Sequence, residues 1–143
     1  QAQNASQISR VRSGGSCAGC NLFQGDFAGL ERSGLNLSGS RLRQADFSLS
    51  VMNRTRFTNA DMRDIEAYGA VFSSSNFSRA NLTNASFVGV YLEGSNLSGA
   101  NLTGTNFSGA QLHRATGLTQ SQLNQACGDE ATTLPRGMRI PAC

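Results

Sequence analysis

The sequence has no tryptophan and no lysine, and it has a single histidine. Its longest apolar stretches fall far short of the ~20 residues that a helix needs to cross a membrane. Only 38% of the chain is hydrophobic, a low share that leaves disorder open until the spacing of those residues is considered. All twelve basic residues are arginine and are interleaved with nine acids, for a net charge of +3. That balance is too mild to argue for nucleic acid. His113 lies one position after an apolar residue, without an evident acid or nucleophile partner, so it reads as a solvated surface group. No glycine-rich phosphate-binding loop appears either. Catalysis is therefore not expected, and no cofactor is expected.

What the chain does have is a rhythm. From Asn21 onward nearly every fifth residue is Leu, Phe or Met: Leu22, Phe27, Leu37, Leu42, Phe47, Met52, Phe57, Met62, Phe72, Phe77, and on to Leu112. The residue two positions before each is mostly Ala, Ser or Thr. Five residues turn about 500° on an α-helix, which scatters the apolar residues around the cylinder. On a flat strand, residues five apart point to opposite faces. A chain that turns a corner about every five residues keeps them all inside. Spacing this regular argues against disorder.

Three segments follow. Residues 1–19 are a lead-in whose only large apolar residues are Ile8 and Val11, ending in the flexible stretch Ser13-Gly14-Gly15-Ser16. Residues 20–114 are nineteen five-residue units. Residues 115–143 form a C-terminal cap. There Thr119, with Gln122 three later, has the form of a capping box and predicts a short helix over about 120–127, ended by Gly128. Leu118 and Leu123 would lie over the open end of the repeats, and Leu134-Pro135 and Ile140-Pro141 read as extended chain returning to Cys143.

Cys17 and Cys20 precede the main run of repeats, and Cys127 and Cys143 follow it. An even number placed at the ends reads as disulfide staples, and so as an oxidising compartment. Zinc is the other reading, since Cys17-Ala-Gly-Cys20 has ligand spacing, although Cys127 and Cys143 stand too far apart to complete the set. Bridges Cys17–Cys20 and Cys127–Cys143 would lock the two ends, but four cysteines allow three pairings and spacing does not choose among them. The chain starts at Gln1 without a signal sequence, which fits a processed exported protein and equally a trimmed chain.

Units such as Ala80-Asn81-Leu82-Thr83-Asn84 and Ala100-Asn101-Leu102-Thr103-Gly104 resemble the pentapeptide-repeat family, whose pattern is Ala-Asp/Asn-Leu-x-x. The resemblance implies an all-β fold, a right-handed quadrilateral parallel β-helix with four units per coil. Nineteen units would make nearly five coils, a rod on the order of 24 Å long at strand spacing. Residues twenty apart then stack. One column is Phe27, Phe47, Ala67, Phe87, Phe107, and its broken rung carries Ile65 in the small slot, so large and small residues have traded places at conserved volume. The other broken rung is Arg32, with Leu30 in its small slot. In the first coil Leu30 can take the core while Arg32 escapes to solvent.

In the same register Asp26, Asp46 and Glu66 stack on one outer wall. Arg41, Arg43 and Arg63 cluster with Asp61 and Asp64 on the wall before it, as solvated surface pairs. Asn-x-Ser/Thr recurs, at Asn81 and Asn96 for example, as a by-product of the repeat rather than a glycosylation signal. Around one corner Leu49, Tyr68 and Val88 lie late on one side, with Val51, Val71 and Tyr91 early on the next, all projecting outward. A contiguous apolar patch of this kind often marks a protein contact; the other readings are that isolated apolar residues tolerate exposure, or that the tail folds back over them.

The expectation is therefore a non-catalytic, exported (periplasmic, extracellular or thylakoid-lumenal) scaffold or protein-binding module. It would be a monomer with capped ends and a protein partner, with no membrane or nucleic-acid partner. The alternative is a DNA mimic that binds DNA gyrase, as the quinolone-resistance members of the family resembled here do. Those are acidic rods that dimerise through a C-terminal helix in the cytoplasm, and a net basic chain with cysteines at both ends departs from them.

Overall fold

A computed structural model describes all 143 residues. Its chain winds as a parallel β-solenoid. The residue before each central apolar residue pairs with the residue twenty positions on, from Asn21↔Arg41 through Asp26↔Asp46 and Val51↔Val71 to Asn96↔Thr116. Between these short bridges the chain turns. In most units the N–H of the residue three after the centre donates back to the centre's carbonyl, as from Ala45 to Leu42 at 2.9 Å and from Ala60 to Phe57 at 3.0 Å. The third residue of these turns takes positive φ from Gln24 to Gly109, which explains the glycines at this position. Nine non-glycine residues are held there as well, among them Leu49 at φ 58°.

This geometry sends two residues per unit inward. The central residues from Leu22 to Leu112 are buried, as are the small ones two before them, Ala45, Ala60, Ala80 and Ala110 among them. Ile65 and Ala67 are both fully buried. The space that Ala67 leaves in its column is approached from the next side by Phe72, whose ring lies 5.9 Å from Phe47 and 6.0 Å from Phe87. At Gly25 an added Cβ would come within 2.5 Å of the Phe27 ring, so that ring uses space only glycine leaves free. Several hydroxyls in the small slot are satisfied by the backbone of the preceding turn: Ser75 Oγ donates to the Met52 carbonyl at 3.0 Å and Thr105 Oγ1 to Leu82 at 2.8 Å. Ser50 Oγ is buried without a partner.

Both ends are covered by segments outside the repeat rhythm. The lead-in is not a flexible approach. Ala5–Arg12 forms helix α1, with the Asn4 side chain accepting from the Gln7 N–H at its start. Its Val11 is fully buried and Ile8 packs against the core. Gln7 accepts from the Asn21 N–H at 2.7 Å and Ser16 from the Asn36 N–H at 2.9 Å, which satisfies donors of the first turn that have no earlier turn to pair with. Arg32 does not escape to solvent. Its half-buried side chain donates to the Arg12 carbonyl at 2.6 Å, at the end of α1, and to Glu31 at 3.1 Å. A cation at a helix C-terminus, where carbonyls lack partners, explains why this rung carries arginine. Leu30 packs against the core as expected.

At the other end the capping box at Thr119 forms, but helix α2 covers only Gln120–Leu123, shorter than the expected 120–127. The chain leaves the helix early because it returns to the solenoid ladder. Cys127 pairs with Asn106, Thr133 pairs with Gln111, and the Gly104 N–H donates to Gln125 at 2.8 Å. Gly128 is not a helix terminator but a bridge partner of Ala142. Leu123 is fully buried over the last repeats, and the Gln122 side chain donates to the Leu97 and Ala100 carbonyls at 2.9 and 3.0 Å.

Candidate functional site

The structure brings the six residues of the apolar corner together. Val51, Val71 and Tyr91 follow one another in successive parallel bridges. On the adjoining side the Leu49 N–H donates to the Tyr68 carbonyl at 2.8 Å, and the Gly69 N–H to Val88 at 2.9 Å. Leu49 and Tyr68 are the large apolar residues most exposed, at 63% and 58%, while Val51, Val71, Val88 and Tyr91 are half-buried. The tail does not fold over them; it stays at the C-terminal end. Leu49 is the one apolar residue among the nine non-glycine positions at positive φ, a conformation that costs an L-residue about 1–2 kcal/mol. Its side chain occupies the space beside Gly69, where a Cβ would meet Leu49 Cδ2 at 2.9 Å. Leu49 thus combines high exposure with a backbone conformation that leucine rarely adopts.

The corner's polar edges are defined. Tyr91 Oη donates to a Glu93 carboxylate oxygen, and this bond raises the Tyr91 pKa above its ordinary value. Glu93 in turn faces Arg114 at 3.5 Å. Below Val51 a shallow depression of about 420 Å³ is bordered by Glu31, Arg32, Ser33, Val51 and Asn53. Two residues before the Tyr68 row runs the acidic column, Asp26↔Asp46↔Glu66. Asp26 and Asp46 accept the N–H groups of Ala28 and Ser48, at 3.1 and 2.9 Å. Asn76 and Asn81 do the same for Ser78 and Thr83, so the acceptor is what the turn requires and the charge is extra.

The other sequence candidates are placed as follows. Arg63 makes two hydrogen bonds to Asp61, at 2.8 and 2.7 Å, and these hold the Asp61 carboxyl below the usual carboxylate range. His113 is exposed with Nδ1 2.8 Å from Thr133 Oγ1. Cys17–Cys20 and Cys127–Cys143 are disulfides, with no free cysteine, so no thiolate remains to ligate zinc. The first pair is buried, whereas Cys143 is exposed. Sequence reasoning missed Phe23, which occupies an outward position yet is only 5% exposed. The Arg43 guanidinium stands 5.2 Å from its ring centroid, and residues 1–3 hydrogen-bond to Asn21 and Gln24 beside it. A large aromatic one place after Leu22 was the available signal.

The architecture defines a parallel β-solenoid protein, with two residues of each unit turned inward and the others on its outer walls. The family model for pentapeptide repeats matches residues 33–66, 63–87 and 85–116, in eight copies. The chain belongs to the pentapeptide repeat family. Among solved structures it is similar to a pentapeptide repeat protein from the thylakoid lumen of Arabidopsis thaliana, with 28% identity over 68% of this chain and 75% of that one, at a TM-score of 0.57. It also matches HetL of the cyanobacterium Nostoc, a pentapeptide repeat protein involved in heterocyst differentiation regulation (22% identity, 92% and 64% covered, TM-score 0.47). A third match is QnrB1, a plasmid-mediated fluoroquinolone resistance protein (19% identity, 85% and 77% covered, TM-score 0.43). No curated protein sequence matches significantly.

Proposed function

We propose that this protein is a non-catalytic β-helical scaffold, exported to an oxidising compartment, that holds a protein partner against the corner formed by Leu49, Val51, Tyr68, Val71, Val88 and Tyr91. The single observation behind it is the strained and exposed Leu49 beside exposed Tyr68, on walls otherwise built from Ser, Thr, Asn, Gly and charges. The finer geometry belongs to the same reading: a right-handed rod of square cross-section, nearly five coils long, monomeric because capped ends offer no free ladder for stacking. Its division into a lead-in cap (1–19), repeats (20–114) and C-terminal cap (115–143) is part of it too. Two disulfides without a free thiol and the lumenal relative support export. The chain carries a net charge of +3 and its acidic column is only three residues long, too short to imitate the backbone of a duplex, so the scaffold reading is preferred to the DNA mimic.

The test is affinity capture from an extract of the native compartment, with wild type and the Leu49→Ser/Tyr68→Ser variant compared at equal thermal stability. A protein retained by the wild type and lost by the variant is expected. Identical capture by the two would sink the assignment.

A further inference from the structure

The corner's surroundings narrow the partner's chemistry. The two sides that meet there, in every turn, carry five carboxylates (Asp26, Glu31, Asp46, Glu66, Glu93) and three arginines, of which Arg32 is committed to the Arg12 carbonyl and Arg114 faces Glu93. The remainder of the chain has four carboxylates and nine arginines. A protein that is basic as a whole thus gathers more than half of its carboxylates on the two sides that carry its exposed apolar residues, with Arg54 the third arginine there. Asp46 lies in the same turn as Leu49, and Glu66 in the same turn as Tyr68.

The backbone limits how a partner can lie. Each turn's N–H and C=O groups along these columns pair with the turns before and after, so no edge is open to an added strand. Contact must be made by side chains spaced at the coil rise of ~4.8 Å. An extended peptide along the rod would present same-face residues every ~6.8 Å and lose register at once. A helix presents them every 3–4 residues, at about 5.3 Å, so three rungs accumulate only about 1 Å of mismatch.

Resting on the corner being a protein contact, we infer that its occupant is a basic amphipathic helix lying along the rod, its apolar stripe on Leu49, Tyr68 and Val88 and its lysines or arginines over Asp46 and Glu66. The occupant is taken as a segment of a different protein; within residues 1–143 both helices, α1 and α2, already cover the ends.

The probe is a stapled helical peptide of about fourteen residues with one leucine stripe flanked by lysines. Controls are the same stripe flanked by glutamates and a proline-containing peptide of the same composition. Fluorescence anisotropy on the full chain at low and high salt is expected to show the lysine helix binding about tenfold or more tighter than either control, with the advantage shrinking in salt. Asp46→Asn/Glu66→Gln should weaken the lysine helix by about five- to tenfold and tighten the glutamate helix, whose repulsion it removes. The Asn retains the turn acceptor, as Asn76 does, so folding is preserved. Equal binding of lysine and glutamate helices, equal binding of the proline peptide, or indifference to Asp46→Asn/Glu66→Gln would overturn the inference. If the lysine helix never binds while Leu49→Ser/Tyr68→Ser still loses a captured partner, the basic-helix occupant falls and the protein-contact role stands.

Discussion

The exchange of large and small residues at Ile65 and Ala67 can be measured as a coupling energy. Ile65 is fully buried in the slot that other units give to Ala, Ser or Thr, and Ala67 is fully buried where they place Leu or Phe. Ile65→Ala removes three buried carbons, about 2.4 kcal/mol of transfer free energy, and a cavity term brings the expected loss to about 3–4 kcal/mol. Ala67→Leu alone forces a side chain into space bordered by Phe47, Phe72 and Phe87, at a cost of about 2 kcal/mol. The double variant restores the repeat's usual order at nearly constant volume and should lose only about 1.5 kcal/mol. The cycle then closes with a coupling of about 3.5–4.5 kcal/mol in favour of the pair, above the ~0.5–3 kcal/mol usual for neighbouring residues because the two slots exchange a whole side-chain volume. Urea denaturation with a common m-value measures all four forms. Ile65→Ala should lower Tm by about 10–15 °C and the double variant by about half that or less. A double variant that loses the sum of the two single losses would show that the two slots do not share volume, and would refute the reasoning.

Three further outcomes are expected. By chain entropy the Cys127–Cys143 bridge contributes about 3 kcal/mol and Cys17–Cys20 about 2. Mild reduction followed by alkylation and mass spectrometry should label exposed Cys143 and its partner first; equal labelling of the buried pair would contradict the packing at the N-terminal end. Ser50→Ala should be neutral or stabilising by up to about 1 kcal/mol, because Ser50 Oγ has no partner. Ser75→Ala should cost about 1–2 kcal/mol, since its hydroxyl donates to Met52 and accepts from the Thr55 N–H. Asp129 is held below the usual carboxylate range, first by the Gly109 N–H and then by the Ala131 and Thr132 groups, against a smaller opposing effect of desolvation. A depressed folded pKa stabilises fully above the unfolded value near 4 and is lost as pH falls through the folded value. Hydrogen exchange should therefore show residues 128–143 loosening below about pH 4 but not between pH 5 and 7. In Asp129→Asn that acid step should be missing; its persistence would assign the step elsewhere.

The five-residue period determined most of the interior by itself. Every internal unit has the same neighbours before and after it, so spacing alone sorts Leu82, Phe87 and Ala85 inward and Asn81 and Thr83 outward. It also identified the apolar corner and explained Ala67 through Ile65, because both follow from register. What the sequence could not decide lies where that regularity ends. The first turn has no turn before it. Its free Asn21 and Asn36 N–H groups and its open core therefore take partners from a non-repeating segment, and α1, Val11 and the seat of Arg32 exist only in that tertiary contact. For the same reason the tail abandons its helix at Leu123: unpaired groups on the last turns reward a return to the ladder more than another helical turn would. Register had already stacked Asp46 with Glu66 and set Leu49 beside Tyr68; the tertiary structure decided which charges near them are committed, Arg32 to the Arg12 carbonyl and Arg114 to Glu93.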